Sequence, residues 1–219
     1  LHSLSLCHTL ITYNDLAAGM LSKFHPRVVP FPGGVNVADF IPGESSSNGV
    51  KKIFVSGRLI DPRKGLKFFI ESARKLRGQR KDFEIFLTHD KKYKEEYITS
   101  LGWIDHEKIK EVYREVDLCV VPSLWEEPFG MVAVEAMASG KPVVASAVAG
   151  LKMSVEDQKT GLLFPPGDQD RLIESLNKLL DNPVLMKSMG QAGRERAVKH
   201  FDWEKVVDRY CEEIFERYQ

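Results

Sequence analysis

Residues 117–146 read Asp117-Leu118-Cys119-Val120-Val121-Pro122, then Ser123-Leu124-Trp125-Glu126-Glu127-Pro128-Phe129-Gly130-Met131-Val132-Ala133-Val134-Glu135-Ala136-Met137-Ala138-Ser139-Gly140-Lys141, then Pro142-Val143-Val144-Ala145-Ser146. The first six are almost all apolar, as expected for a central parallel strand covered on both faces. Residues 130–139 predict a short helix, closed by Gly140 and Lys141-Pro142, because glycine takes the left-handed turn after a helix and proline cannot continue one. Residues 142–146 predict the next strand. The helix is apolar all round except at Glu135, which predicts a buried helix. A buried carboxylate is costly unless hydrogen bonds compensate it. Glu135 therefore either accepts ligand hydroxyls, such as those of a ribose, or serves the fold by capping backbone groups or pairing with a lysine. The helix alone leaves both open.

Glu127 lies eight residues earlier, after the strand and before the helix. Gly130 lets a ligand approach the helix start, where free N–H groups attract phosphate or hydroxyl oxygens. Alone, Glu127 would read as a solvated loop residue; strand, Glu127, Gly130, buried helix and Glu135 together are far more specific.

The same alternation extends outward. Residues 52–57 predict a buried strand, and Leu66, Phe69, Ile70, Ala73 and Leu76 recur at helical spacing after it. Residues 83–87 and 97–104 predict two more strands. Asp105 is placed to cap a helix whose apolar face is Ile109, Val112, Tyr113 and Val116. Residues 161–164 predict the last strand, and two helices follow, one over 168–180 and one after Asn182-Pro183 that bends at 200–202 and resumes at Trp203. Residues 43–49 (Gly-Glu-Ser-Ser-Ser-Asn-Gly) predict a loop. Alternating strands and helices predict an α/β doubly wound parallel sheet. Such sheets bind ligands at the carboxyl ends of strands, where strand order reverses. The chemistry is therefore expected at 57–65, around Gly102, and at 123–130.

Composition narrows the class. The 219 residues are 43% hydrophobic and 28% charged, which is ordinary for a globular protein. Thirty-one basic residues balance thirty-one acidic ones, so no global charge favours nucleic acid or an anionic membrane. Lys91, Lys92 and Lys94 make a small local basic patch. Cys7, Cys119 and Cys211 are widely spaced, which argues against a disulfide framework and a zinc site, and a reducing cytoplasm is the expected home. No apolar run approaches the roughly 20 residues that span a bilayer. The start at Leu1 has no charged segment before an apolar core, so it reads as a trimmed start and not as a signal peptide.

Gly57-Arg58-Leu59-Ile60-Asp61-Pro62-Arg63-Lys64-Gly65 joins a strand to a helix at the ligand end of the sheet. A diphosphate needs cations, and Arg58 and Lys64 are placed to converge on one. A lone Arg–Lys pair in a loop is more often simply solvated, and Arg63 is read that way. The segment lacks GxxxxGK[ST], so no P-loop is supported, and it lacks GxGxxG, which weakens a dehydrogenase reading.

Three motifs taken together, Gly-Arg-Leu-x4-Lys-Gly from Gly57, Val-Pro-Ser-x3-Glu-x-Phe-Gly-x4-Glu-Ala-Met-Ala-x-Gly-Lys-Pro-Val-Val-Ala from Val121, and Thr-Gly-Leu-Leu from Thr160, resemble the retaining group 1 glycosyltransferases of family 4. Pro32-Gly33-Gly34-Val35-Asn36 and Phe201-Asp202-Trp203-Glu204 resemble segments that open and close that family's C-terminal domain. The resemblance runs from about Val28 to the end. It implies the C-terminal half of a GT-B fold, in which two Rossmann-like domains face each other across a cleft. Residues 1–25 are then expected to be a remnant of the N-terminal acceptor domain, 26–200 the donor-binding domain, and 201–219 the crossover helix. Trp203, Val206, Val207, Tyr210 and Ile214 share a face of that helix, expected to be exposed or packed on the remnant or on a second chain.

The resemblance also implies roles. Arg58 and Lys64 would bind the donor diphosphate and stabilise the leaving group, and Glu135 would hold the ribose hydroxyls. Glu127 would face the donor sugar, with Arg58 and Lys64 as its catalytic companions. The backbone at Phe129, Gly130 and Met131 would bind sugar hydroxyls and phosphate beside Gly57, and Leu101 and Gly102 would flank the base. The donor would be a UDP-, GDP- or ADP-linked sugar, and the acceptor a glycan or lipid reached through the N-terminal domain. No metal or other cofactor and no nucleic acid are expected; peripheral membrane contact is expected if the acceptor is a lipid. Asp168-Gln169-Asp170 looks like a metal-binding DxD but reads as a helix cap, because a periodic apolar helix follows directly. Two departures stand out. Residues 90–96 are too short for the glycine-rich turn and helix usual there, and the usual Gly-Gly-x2-Glu is Ala149-Gly150-Leu151-Lys152-Met153. None of the six histidines is assigned to catalysis. Other readings are another GT-B enzyme, such as a sugar-nucleotide epimerase or a phosphorylase-like protein, or a non-catalytic nucleotide-sugar-binding module.

Overall fold

A computed structural model describes residues 3–43 and 49–214, apart from the side chains of Ser5 and Ile214. The central part of the loop expected at 43–49, the Ile214 side chain and residues 215–219, expected to continue the closing helix, thus lie outside the described residues. The first unit is small. Strand β1 (Leu10–Thr12), helix α1 (Asp15–Leu21) and strand β2 (Val28–Pro30) form a right-sized βαβ turn, with β1 and β2 pairing in parallel and Leu10 opposite Val28. Asn14 caps α1 by accepting from the Ala17 N–H at 2.8 Å. The domain boundary expected near residue 25 falls between α1 and β2, inside this unit. Strand β2 was not anticipated, since three residues are too few to show a period.

The main sheet has six parallel strands: β3 (Lys51–Val55), β4 (Phe83–Leu87), β5 (Ile98–Ser100), β6 (Leu118–Val121), β7 (Val143–Ser146) and β8 (Gly161–Phe164). Their spatial order is β5-β4-β3-β6-β7-β8. The chain works outward from β3 to one edge, then returns to β6 and works to the other. The reversal between β3 and β6 opens a crevice at their carboxyl ends. This confirms the doubly wound parallel α/β sheet.

Helices cover both faces, and strand alternation decides which residues go where. Ile53, Val55, Leu118 and Val120 face one core with α2 (Leu66–Gln79) and α6 (Gln169–Leu180). Phe54, Cys119 and Val121 face the other, with α3 (His106–Glu115) and α4 (Met131–Ala138). Both cores are buried, and each large apolar side chain removed from water contributes about 1.5–3 kcal/mol. Helix α5 (Ala149–Ser154) follows β7, and α7 (Pro183–His200) and α8 (Trp203–Ile214) close the chain, with the break at residues 201–202 as expected.

Four details differ from the sequence reading. The third strand is only Ile98–Ser100, because it is an edge strand and Gly102 turns away with φ of 71°. Asp105 stands at the start of α3 but its side chain makes no capping hydrogen bond. Helix α5 was not anticipated, since six residues carry no usable period; its first turn is held by Glu126, which accepts from the Ala149 N–H at 2.7 Å. Arg63 is not simply solvated: it pairs with Asp61 at 2.8 Å and stacks 4.4 Å over the Trp125 ring. Asp168 does cap α6, accepting from the Arg171 N–H at 3.0 Å, and Asp170 pairs with Lys75.

As the length of 90–96 implied, β4 reaches β5 through residues 88–97 with no helix. Tyr93 and Tyr97 pack against the first core there, and the Arg77 guanidinium lies 4.6 Å from the Tyr97 ring. Among the described residues no helix is long and apolar enough to cross a membrane. Cys119 is buried, while Cys7 and Cys211 are exposed.

Candidate functional site

A cavity of about 1320 Å³ opens at the β3/β6 crevice. Its floor is made by the segments that leave those two strands. Gly57 leaves β3 with φ of 115°, a conformation that disfavours any side chain, and its N–H is fixed by the Thr88 hydroxyl at 3.0 Å. Arg58 is exposed on the cavity wall and makes no side-chain hydrogen bond or ion pair among the described residues. Asp61 then starts a short 3-10 turn, Pro62–Lys64, by accepting from the Arg63 N–H at 2.9 Å. The Arg63 guanidinium holds the Asp61 carboxyl down to about 2. Gly65 ends the turn with φ of 72°, its Cα hard against the Pro122 carbonyl oxygen. That close approach swings Lys64 toward the segment leaving β6.

There Lys64 meets Glu127. Nζ lies 2.6 Å from Oε1, and the Ser123 hydroxyl donates to the same oxygen at 2.6 Å. Glu127 is only 5% exposed, and these two partners compensate its carboxylate for the water it has lost. Its backbone is fixed as well: the Glu127 carbonyl accepts from the Gly150 N–H at 2.9 Å, and the Pro128 carbonyl accepts from the Asn14 amide at 2.6 Å. Gly150 sits so close to Glu127 and Phe129 that a Cβ would be 2.5 Å from both backbones. Gly130, with φ of 89°, starts α4, whose first residues Met131 and Val132 line the cavity, at the end of a helix where N–H groups are left without intrahelical partners.

The opposite wall is apolar. Tyr13 stacks on Phe129 at 6.3 Å, and Phe31 meets Tyr210 edge-on at 5.5 Å. Helix α8 is thus packed on residues 31–35, which follow the small first unit and belong to the expected donor-binding part and not to the remnant: the Trp203 N–H donates to the Val35 carbonyl and Tyr210 meets Phe31, while Trp203 and Val207 stay exposed, as one of the expected outcomes had it.

Of the ten residues singled out in the sequence, seven line this one cavity: Gly57, Arg58, Lys64, Glu127, Phe129, Gly130 and Met131. Glu135, Leu101 and Gly102 do not line it. Glu135 is 7% exposed on the buried side of α4, where Tyr113 donates to its Oε2 at 2.9 Å; neither backbone capping nor a lysine explains it. Burial pushes the Glu135 carboxyl up, and the Tyr113 hydrogen bond opposes that. Gly102 turns beyond β5, beside Asp90.

Three site residues escaped the sequence reading. Ser123 and Tyr113 pair with the two glutamates, but a serine after a strand and a tyrosine on a helix face carry no signal of such a partner. Trp125 lines the cavity between Arg63 and Lys64, with its indole N–H buried and without an acceptor among the described residues. Among the described residues no three His, Cys, Asp or Glu side chains converge to hold a metal ion.

Comparison with known proteins agrees with this fold. The family described as glycosyl transferases group 1 matches residues 38–196. A phosphatidyl-myo-inositol mannosyltransferase of Mycobacterium leprae is 31% identical over 213 residues, covering 91% of this chain and 56% of that protein. A D-inositol 3-phosphate glycosyltransferase of Segniliparus rotundus is 42% identical over 101 residues, 46% of this chain and 22% of its own length. Sucrose-phosphate synthase from Thermosynechococcus elongatus superposes with a TM-score of 0.81 at 28% identity, over 98% of this chain and 59% of that one. The C-terminal domain of a glycosyl transferase group 1 family protein from Francisella tularensis superposes over its whole length and 78% of this chain, with a TM-score of 0.66 at 25% identity. The chain thus spans about half the length of the Mycobacterium leprae relative and has the architecture of the C-terminal half of a GT-B fold. A family match across well over half its residues, on a sheet whose reversal point carries the family's motifs, shows that this chain belongs to the group 1 glycosyltransferases.

Proposed function

We propose that this chain is the donor-binding part of a retaining glycosyltransferase, which passes a sugar from a nucleoside diphosphate to an acceptor hydroxyl. The observation that supports this best is the convergence of Arg58, Lys64, Glu127 and the start of α4 on one cavity. Breaking the sugar–phosphate bond leaves negative charge on the diphosphate. Two cations and the N–H groups of a helix start are the right groups to meet it, since they are fixed before the charge develops. Glu127 lies where the sugar would be, tied to Lys64, so sugar and diphosphate contacts are coupled through one ion pair. The apolar wall from β1, the segment that follows β2 and α8 would form the acceptor side of the cleft, completed by the remainder of a longer protein. The acceptor would be a glycan or a lipid. One Anabaena structure with this fold, 20% identical, holds UDP and glucose, which makes a nucleotide sugar a reasonable first donor to try.

The test is thermal stabilisation by UDP, GDP, ADP, CMP and their sugars. A ligand that binds only the folded state raises the melting temperature with concentration. A selective rise with one nucleoside diphosphate, lost in Lys64→Ala and in Arg58→Ala, supports the proposal. No rise with any of them in the complete protein removes it.

A further inference from the structure

The two oxygens of Glu135 have different surroundings. Oε2 accepts from the Tyr113 phenol at 2.9 Å. Oε1 accepts no hydrogen bond among the described residues and faces the exposed His106, whose Nδ1 is 4.0 Å away. The phenol ring is itself enclosed. Tyr113 is fully buried on α3, its ring edge-on to Phe54 at 5.2 Å and to Phe40 at 5.9 Å. A phenylalanine would fill that space equally well. The hydroxyl's shortest contact is with the carboxylate; the Val132 carbonyl lies at 3.4 Å and the Ser56 side chain also neighbours it.

A carboxylate held at one oxygen by a rigid donor can offer the other in a fixed direction. We infer that Tyr113 is a positioning residue that clamps Oε2 of Glu135, so that Oε1 is presented as the acceptor for the vicinal hydroxyls of a donor's ribose. This rests on the proposed function, in which a nucleoside diphosphate occupies the cleft, and on the ribose role that the family resemblance implies for Glu135, which lies outside the cavity lining, one turn along α4 from Met131 and Val132, which line it. Burial alone would leave the Glu135 carboxyl prone to hold a proton, and a protonated carboxyl is a poorer acceptor; the Tyr113 hydrogen bond favours the ionised form. Tyr113 does not touch the ligand, and its effect passes through Glu135.

A merely structural tyrosine would affect stability but not ligand discrimination, so the test measures discrimination. The probe is whichever of UDP, GDP and ADP binds the wild-type protein most tightly, paired with its 2′,3′-dideoxy counterpart, both titrated by calorimetry well below the melting temperature. The wild type is expected to prefer the ribose form by about ten-fold, as when a hydrogen-bonding site loses a partner. In Tyr113→Phe that ratio is expected to fall to within about three-fold, with affinity for the dideoxy form unchanged. A folded Tyr113→Phe that keeps the wild-type ratio overturns the inference and leaves the proposed function standing. A wild type that binds both forms equally overturns the placement of Glu135 at the ribose, and the inference with it. Should Tyr113→Phe fail to fold, Glu135→Ala is compared with Tyr113→Phe/Glu135→Ala, which carries no buried carboxylate. Equal ratios in those two support action through Glu135; different ratios mean that Tyr113 meets the ligand itself and overturn it.

Discussion

Lys64 and Glu127, 63 residues apart in sequence, meet at 2.6 Å across the point where strand order reverses. One comes from the turn after β3, the other from the loop after β6, and Ser123 completes the contact. Removing one partner of a pair this close leaves the other charge exposed to a poorly compensating site. Lys64→Ala is expected to lower stability by about 1–2 kcal/mol, less than for a fully buried pair because Lys64 is partly in water. Glu127→Gln in the Lys64→Ala background should recover part of that loss. A double-mutant cycle by urea unfolding checks it, and strictly additive losses would count against the coupling.

The exposed end of the same turn gives a pH dependence. The Arg63 side chain, then the Arg63 N–H, hold Asp61 down from 3.8 to about 2. A carboxyl whose folded value lies below its unfolded one adds stability above the unfolded value and loses it as pH falls through the folded one. Asp61→Ala should therefore be less stable than wild type by a constant margin above pH about 5, which shrinks as pH falls from about 4 through 2 and vanishes only below that. Melting temperatures across that range test this; a margin as large at pH 2 as at pH 6 would mean that backbone strain, and not the carboxylate, is responsible.

Glu135 carries the opposite sign. Burial raises its carboxyl above 4.5, so the folded state binds the proton more readily than the unfolded state does. Its ionisation then costs stability as pH rises from the ordinary value through the raised one. Glu135→Gln keeps the shape and can still accept from Tyr113, so it should melt higher than wild type at pH 7 and equally at pH 4, while binding a nucleoside diphosphate more weakly. Calorimetry at the two pH values, with and without ligand, measures both effects. A variant that is less stable at pH 7 would show that the charge is well compensated.

Two glycines should respond oppositely to alanine. A Cβ on Gly65 would collide with the Pro122 carbonyl oxygen at a φ of 72°, so Gly65→Ala is expected to cost more than about 1 kcal/mol and to move Lys64 away from Glu127. Gly78 lies in the last turn of α2 with nothing within 4 Å of its Cβ position, so Gly78→Ala should stabilise by about 0.5 kcal/mol. Denaturant unfolding of the two variants decides, and similar effects would mean that the turn at Gly65 relaxes.

The sequence by itself determined the sheet and most of its site. Residues such as Ile53, Phe54 and Val55 or Leu118, Cys119 and Val120 are apolar on both faces, and only a covered parallel strand places them all out of water. Glycines with positive φ at 57, 65 and 130 marked the turns where Arg58, Lys64 and the start of α4 emerge, because a turn is a local, backbone-level property. Tertiary structure alone decided who meets whom. Ser123 on Glu127, Tyr113 on Glu135, Glu126 at the start of α5 and Arg63 over Trp125 are side-chain encounters between segments. No periodicity encodes them; they follow from how strands stack and from which buried charge lacks a partner once they do. The same limit explains Asp105, whose position suits a cap but whose side chain makes no capping bond in the folded chain.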